Sequence, residues 1–272
     1  MYLLFDIGGT KLRLANSVDG KNISEPYIVD TPKEFDQAIT FFKGVYKKEV
    51  ELNQIDAVIG GVPGVLDPKS QMLLKVPHLP VWEGKALATK LTEIFHAPCY
   101  LENDAVLAAL GEANFGAGKD YKIVAYLTIS TGIGGARIVN KKIDEKTLGF
   151  EPGNQILDFE KLLTFEDLVS GTGLEKRFGK KTEEIVDEKI WDEAHKLLAV
   201  GLNNVIVHWS PEVIVLGGGI MDSPHISIEK IQENLKNIMK IFPEIPPIKR
   251  TSLGDLAGLY GALHYGKLKG KG

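Results

Sequence analysis

Two short runs of this 272-residue chain combine glycine with hydroxyl and carboxylate side chains in an order that suits phosphate binding. The first is Asp6-Ile7-Gly8-Gly9-Thr10-Lys11, preceded by apolar Leu3 to Phe5 and followed by the alternation Leu12, Leu14. This spacing predicts two strands joined by a tight glycine turn. Glycines let main-chain amides approach an anion without a Cβ in the way, Thr10 adds a hydroxyl, and Asp6 can hold a metal-bound water. An ordinary Gly-Gly hairpin with a surface Asp fits the same residues. The second run, Ser130-Thr131-Gly132-Ile133-Gly134-Gly135, repeats the plan of strand, glycine turn and strand in the other half of the chain. The repeat predicts a duplicated fold in which each half holds one end of a polyphosphate across a cleft.

Two further runs carry chemistry. Glu102-Asn103-Asp104 stands directly before Ala105 to Gly111, so Asn103 or Asp104 caps a helix there. Capping leaves room for catalysis, since a carboxylate at a helix mouth also faces a cleft. Val213 to Leu216 reads as a buried strand that empties into Gly217-Gly218-Gly219, where a flat adenine can lie on bare backbone. A tight strand-to-helix turn would use the same glycines.

The elements that must position these residues follow from periodicity. A helix is expected from Lys33 to Val50, a buried strand at Ala57–Val62, a helix at Ala86–Phe95 and a short strand at Cys99–Leu101. Between them, Pro63 to Gly84 reads as a long irregular segment, and such loops are often functional. Trp191, Ala194, Leu197, Leu198, Val205 and Trp209 form a helical stripe, which puts His195 and His208 on a packed helix in structural roles. A helix at Ile226–Ile241, an edge strand at Ile248–Thr251 and a small-residue helix from Leu256 complete the chain, with a frayed tail from Lys267.

Composition narrows the function. Apolar residues make up 44% of the chain, enough for a real core, and the net charge of −4 gives no electrostatic footprint for nucleic acid or an anionic membrane. Any phosphate must therefore be gripped locally. The single cysteine, Cys99, excludes an intramolecular disulfide and a multi-thiolate metal cage, and reads as a small buried residue. Neither a basic leader with an apolar core nor a run of membrane-spanning length is present, so a cytoplasmic protein is expected. No Gly-x-x-x-x-Gly-Lys-[Ser/Thr] occurs, and no Gly-x-Gly-x-x-Gly follows a strand.

Taken together, the two glycine hairpins, Glu102-Asn103-Asp104-Ala105, Ser170-Gly171-Thr172-Gly173 and the Gly217–Gly219 run resemble the ROK family of repressors and sugar kinases, within the actin-like ATPase superfamily. The resemblance covers nearly the whole chain. It implies a two-lobed, duplicated α/β fold of the ribonuclease H-like type, with one lobe at 1–105, completed by 258–272, and the other at 106–257. It implies ATP and Mg²⁺ as cofactors, and places Asp6, Gly8, Gly9, Thr10, Lys11, Thr131, Gly132, Gly134, Gly171, Gly217, Gly218 and Gly219 at the nucleotide, with Asp6 on the metal through water. By the same resemblance Asn103, Asp104, Glu151, Asn154 and His78 bind the sugar, and Asp104 takes the proton from the attacking hydroxyl. Expected partners are a small-molecule sugar and a nucleotide, with a homodimer admitted.

The chain departs from the family pattern at two of these positions. Family members usually carry Asn where His78 stands, and a His where Asn154 stands; that His and three downstream cysteines bind zinc in most members. Here no downstream cysteine exists, so no structural zinc is expected. The resulting expectation is a sugar kinase acting on glucose at its 6-hydroxyl. The alternatives are an N-acetylhexosamine, mannose or fructose kinase, a non-catalytic sugar sensor, or an actin-like ATPase. Met1 stands directly before the first hairpin, which argues against a DNA-binding repressor.

Overall fold

Short, largely continuous apolar runs build two five-stranded sheets, one in each half of the chain. The computed structural model describes residues 1–49, 54–77 and 79–270. His78 lies outside the described residues, as do Val50, where a helix end was expected, and the last two residues of the tail. The chain divides into two compact units, Met1–Asn114 with Glu145–Gly149 and Asp255–Gly272, and Phe115–Asp144 with Phe150–Gly254.

In the first unit, β1 (Tyr2–Ile7) pairs antiparallel with β2 (Lys11–Ser17), which pairs with β3 (Tyr27–Asp30). On its other side β1 runs parallel to β4 (Ala57–Val62), and β4 runs parallel to β7 (Cys99–Asn103). The order is β3-β2-β1-β4-β7. The register places Asp6 beside Gly61, and Gly61 beside Glu102, so the carboxyl ends of three neighbouring strands finish together. Helices α1 (Phe35–Glu49) and α2 (Leu87–Phe95) cover one core, in which Leu3, Phe5, Phe42, Val58, Leu91 and Phe95 are buried. The stretch from Pro63 to Gly84 is less irregular than expected. It folds as a ribbon of β5 (Val65–Leu66) and β6 (Leu73–Lys75), then a 3-10 turn at Pro80–Trp82. Strands of two and three residues are too short to show a period.

Helix α3 (Asp104–Phe115) crosses the C-terminal helix, Ala257–Lys269, at backbone contact. A Cβ on Gly261 would fall 1.8 Å from the Leu107 carbonyl oxygen, and one on Gly111 would fall 2.2 Å from that of Ala257. Only glycine permits that approach.

In the second unit, β8 (Ile123–Ile129) and β9 (Ile133–Val139) form the second hairpin, flanked by β10 (Lys142–Ile143). Strand β13 (Val213–Gly217), buried throughout, runs parallel to β8 and to the edge strand β14 (Ile248–Arg250). A smaller ribbon pairs β11 (Ile156–Asp158) with β12 (Leu163–Thr164). Helices α4 (Phe165–Val169), α5 (Gly171–Phe178), α6 (Glu188–Trp209) and α7 (Ile228–Ile238) pack on this sheet. His195 of α6 is buried, and its Nε2 accepts the Ser227 amide that opens α7 (3.0 Å), a structural role. His208 is exposed, because its position on α6 lies off the apolar stripe. Cys99 is half-buried rather than fully buried, as its place on the edge strand β7 dictates.

Candidate functional site

Asp6, the last residue but one of β1, has its side chain pressed between two glycines. A Cβ on Gly61 would fall 2.8 Å from Asp6 Oδ1, and one on Gly258 would fall 2.6 Å from its Cγ and Oδ2. The same Gly61 position lies 3.2 Å from the α-carbon of Asp104. Asp6 Oδ1 is sealed from solvent and has no hydrogen-bond partner among the described residues. Burial first, and the Asp104 carboxylate second, push the Asp6 carboxyl up to about 7, while Arg13 opposes and Asp255 adds to the rise. Arg13 faces Asp6 across the β1–β2 ladder and is itself paired with Asp255 (2.9 Å).

Asp104 is the first residue of α3, and its Oδ1 accepts the Ala105 amide at 2.9 Å. The capping role falls to Asn103. Its Oδ1 accepts the Val106 amide (3.1 Å), and its Nδ2 donates to the Gly64 carbonyl (2.9 Å). Asn103 therefore ties the ribbon that follows β4 to the start of α3. Glu102, next to it, accepts from the Asn103 amide and from Lys146, both at 2.9 Å. Lys146 had no signal in the sequence, since its partner lies 44 residues away.

The first glycine loop, Gly8-Gly9-Thr10, closes with the Gly8 amide on the Lys11 carbonyl (2.9 Å). Neither Gly8 nor Gly9 takes a positive φ. Thr10 is exposed, and the Lys11 ammonium is paired with Asp30 (2.7 Å). Thr31 and Lys33, which the sequence did not single out, donate to carbonyls of this loop.

In the second unit, the Ser130 amide donates to the Gly132 carbonyl (2.8 Å) to close the loop between β8 and β9. The amides of Gly171 and Thr172, at the start of α5, donate to the carbonyls of Ser130 (2.7 Å) and Thr131 (3.2 Å). Gly171 thus supports the loop from its own helix end, with Ser170 capping that helix. Glu166 Oε2 accepts the Ile133 amide (2.6 Å) and lies 2.5 Å from where a Cβ on Gly132 would stand. Glu166 lies in the run 165–174 that resembles the family near the nucleotide, but nothing in the sequence gives its carboxylate this role; Thr164 and Asp167 around it form a capping box, which marks the start of α4. Gly218 has φ +92°, and a Cβ on it would meet the Ile129 carbonyl at 2.4 Å. Beside Gly219, by contrast, there is open space. Thr131, Gly132, Gly171 and Gly218 are thus brought together at the carboxyl end of β8, with Gly217 ending the neighbouring β13 and Gly134 one step inside β9.

Glu151 precedes and Asn154 ends the 3-10 turn Pro152–Asn154, both exposed, with Asn154 Nδ2 3.4 Å from Glu151 Oε2. The turn is seated on β9 through Gly153, whose missing Cβ would fall 2.3 Å from the Ile133 carbonyl. Among the described residues, no three His, Cys, Asp or Glu side chains gather as a metal would require. No described helix is long and apolar enough to cross a membrane.

Comparison with known proteins gives this geometry its setting. The ROK family pattern matches residues 2–267. An uncharacterised protein of Clostridium perfringens is 30% identical over 97% of this chain and 97% of its own length. The N-acetyl-D-glucosamine kinase of Histophilus somni is 29% identical over 96% of this chain and 97% of its own. Among solved structures, a ROK hexokinase from Thermus thermophilus matches with a TM-score of 0.84 at 27% identity, covering 99% of each chain. With two mixed sheets of the actin-like α/β fold and a family match over almost its full length, this chain belongs to the ROK family.

Proposed function

We propose that this chain is a sugar kinase that moves the terminal phosphoryl group of ATP to a hexose hydroxyl, with the 6-hydroxyl of glucose as the leading acceptor. The observation that carries this reading is the meeting of Asp6 and Asp104 over Gly61. Two carboxylates in different surroundings suit two tasks. Asp6 is desolvated and has an oxygen without a donor, which an oxygen-seeking cation or its water would compensate. Its fit to Mg²⁺ rests on that orphaned oxygen, and the ion, when bound, neutralises the phosphates during transfer. Asp104 stands at the amino end of α3, where the helix dipole favours the charged carboxylate that a general base needs.

Asp104 accepts the proton as the sugar oxygen attacks the γ-phosphorus, and the bond from that phosphorus to the bridging oxygen of ADP breaks. The rest is positioning. The first glycine loop holds phosphate, and Asn103 orients the sugar beside Asp104. Kinship to a hexokinase and to an N-acetylglucosamine kinase supports the reaction class and leaves the sugar as the finer part of the proposal.

A coupled assay of ADP release with and without hexose tests this. Hexose-stimulated release is expected. Sugar binding without turnover would replace the kinase by a sensor, and hexose-independent hydrolysis would replace it by an ATPase.

A further inference from the structure

The three carbonyls of the first glycine loop are all occupied from one direction. Thr31 Oγ1 donates to the Gly8 carbonyl (2.8 Å), the Lys33 ammonium to that of Gly9 (2.8 Å), and the Thr31 amide to that of Thr10 (2.8 Å). One tripeptide, Thr31-Pro32-Lys33, makes all three bonds. In a trans peptide the carbonyl of one residue and the amide of the next point opposite ways. Fixing the Gly8 and Gly9 carbonyls toward the tripeptide therefore turns the amides of Gly9 and Thr10 away from it. Those two amides have no acceptor among the described residues. Successive amides aimed to one side form an anion-binding nest.

We propose that Thr31-Pro32-Lys33 is a strap that makes this loop an anion binder, with Thr31 and Lys33 as positioning residues for the nucleotide phosphates. The identity of the anion rests on the kinase reading, while the strap itself does not. Thr31 is 4% exposed, so its hydroxyl is committed to the loop. The strap is anchored behind by Trp82, fully buried, whose indole N–H donates to the Lys33 carbonyl (3.0 Å) and whose ring meets Phe35 edge-on at 5.4 Å. Trp82 ends the segment that follows β6, so residues 80–82 and the loop share Lys33 as a common support.

The test uses Thr31→Val, which keeps the shape and removes the donor, with Lys33→Met and Thr31→Ser alongside. Each loss of a bond should raise the KM for ATP roughly 3- to 10-fold, the scale of one hydrogen bond. The KM for hexose should stay within about 2-fold, and Thr31→Ser should restore the parent value. Trp82→Phe should raise the KM for ATP in the parent and add little in the Lys33→Met background, because both act through one residue. Backbone ¹⁵N relaxation of the ligand-free protein gives a reading independent of turnover. The order parameters of Gly8, Gly9 and Thr10 should drop in Thr31→Val from the rigid range, about 0.85, toward about 0.6. An unchanged loop in that experiment overturns the strap even if the chain phosphorylates no hexose. A parent without kinase activity but with a loosened loop in Thr31→Val would overturn the kinase reading and keep the strap. Equal rises in both KM values would also count against it, since general loosening would act on sugar and nucleotide alike.

Discussion

Asp6 lies against the bare α-carbon of Gly258, where a Cβ would stand 2.6 Å from its carboxylate carbon. Gly258→Ala should therefore leave the helix intact, since Ala is the better helix former, and push the carboxylate out of place. We expect the Mg²⁺ concentration for half-maximal activity to rise about 10-fold or more, with the melting temperature within a few degrees. Titrating Mg²⁺ against activity in parent, Gly258→Ala and Asp6→Ala decides it. An unchanged metal requirement in Asp6→Ala would remove Asp6 from the site.

Asp104→Asn should lower kcat by roughly 10²-fold or more, the usual scale for loss of a general base. Folding should be preserved, because the α3 cap is Asn103, whose bond to the Val106 amide the substitution does not touch. Nucleotide affinity, measured by calorimetry, should be unchanged. Turnover within a few-fold of the parent would show that another group takes the proton.

Asp6 and His195 should bend the stability curve in opposite directions. The folded chain holds the Asp6 proton more tightly than the unfolded one, with a pKa of about 7 against an ordinary 3.8. Its contribution is full below pH 4 and is lost as the pH rises through 7, at most about 4 kcal/mol and after solvent relaxation about 1–3 kcal/mol. Burial lowers the His195 pKa, so its contribution is present above pH 6.5 and is lost as the pH falls through the folded value. Urea midpoints of the ligand-free protein from pH 4 to 8 should rise at the alkaline end in Asp6→Asn. His195→Gln, which keeps an acceptor for the Ser227 amide, should flatten the acid end.

The Asn154 side chain makes one long contact, to the Glu151 carboxylate, on an exposed turn. If glucose is the acceptor, 2-position variants such as mannose or an N-acetylhexosamine should be rejected less sharply than by a zinc-bearing relative. One missing hydrogen bond there corresponds to roughly 5- to 150-fold in kcat/KM. Asn154→His alone should not sharpen the choice, and elemental analysis of the purified protein should find no stoichiometric zinc. Zinc near one per chain would mean that ligands distant in sequence rebuild the site.

The parts of this architecture legible in the sequence are those whose cause is local. Val213–Gly217 reads as a buried strand because all its residues are apolar or glycine, and α3 announces itself through Asn103 and the alanine run. The positions of Asp6 and Asp104 could be guessed one by one. Their meeting could not, because it depends on the register of β1 against β4 and on Gly61 and Gly258, which lie 55 and 252 positions beyond Asp6. The contacts made by Glu166, Lys146 and the strap at Thr31 could not be read for the same reason. Each acts on a partner supplied by another element, and a local pattern such as the capping box around Glu166 marks a helix start without naming that partner.

The two glycine loops are braced by different mixes of side-chain and main-chain groups. Two of the three bonds to the first come from a hydroxyl and an ammonium, groups that a single codon change can delete, and the third comes from the Thr31 amide. The carbonyls of the second are held by the main-chain amides of Gly171 and Thr172, which most substitutions leave in place, and the Glu166 carboxylate adds to them from the Ile133 side. An evolving lineage can therefore retune the first loop at two side chains, while the carbonyl bonds of the second change when the start of a helix moves. Variation in nucleotide affinity among related chains should accordingly map to the strap far more often than to the loop that α5 supports.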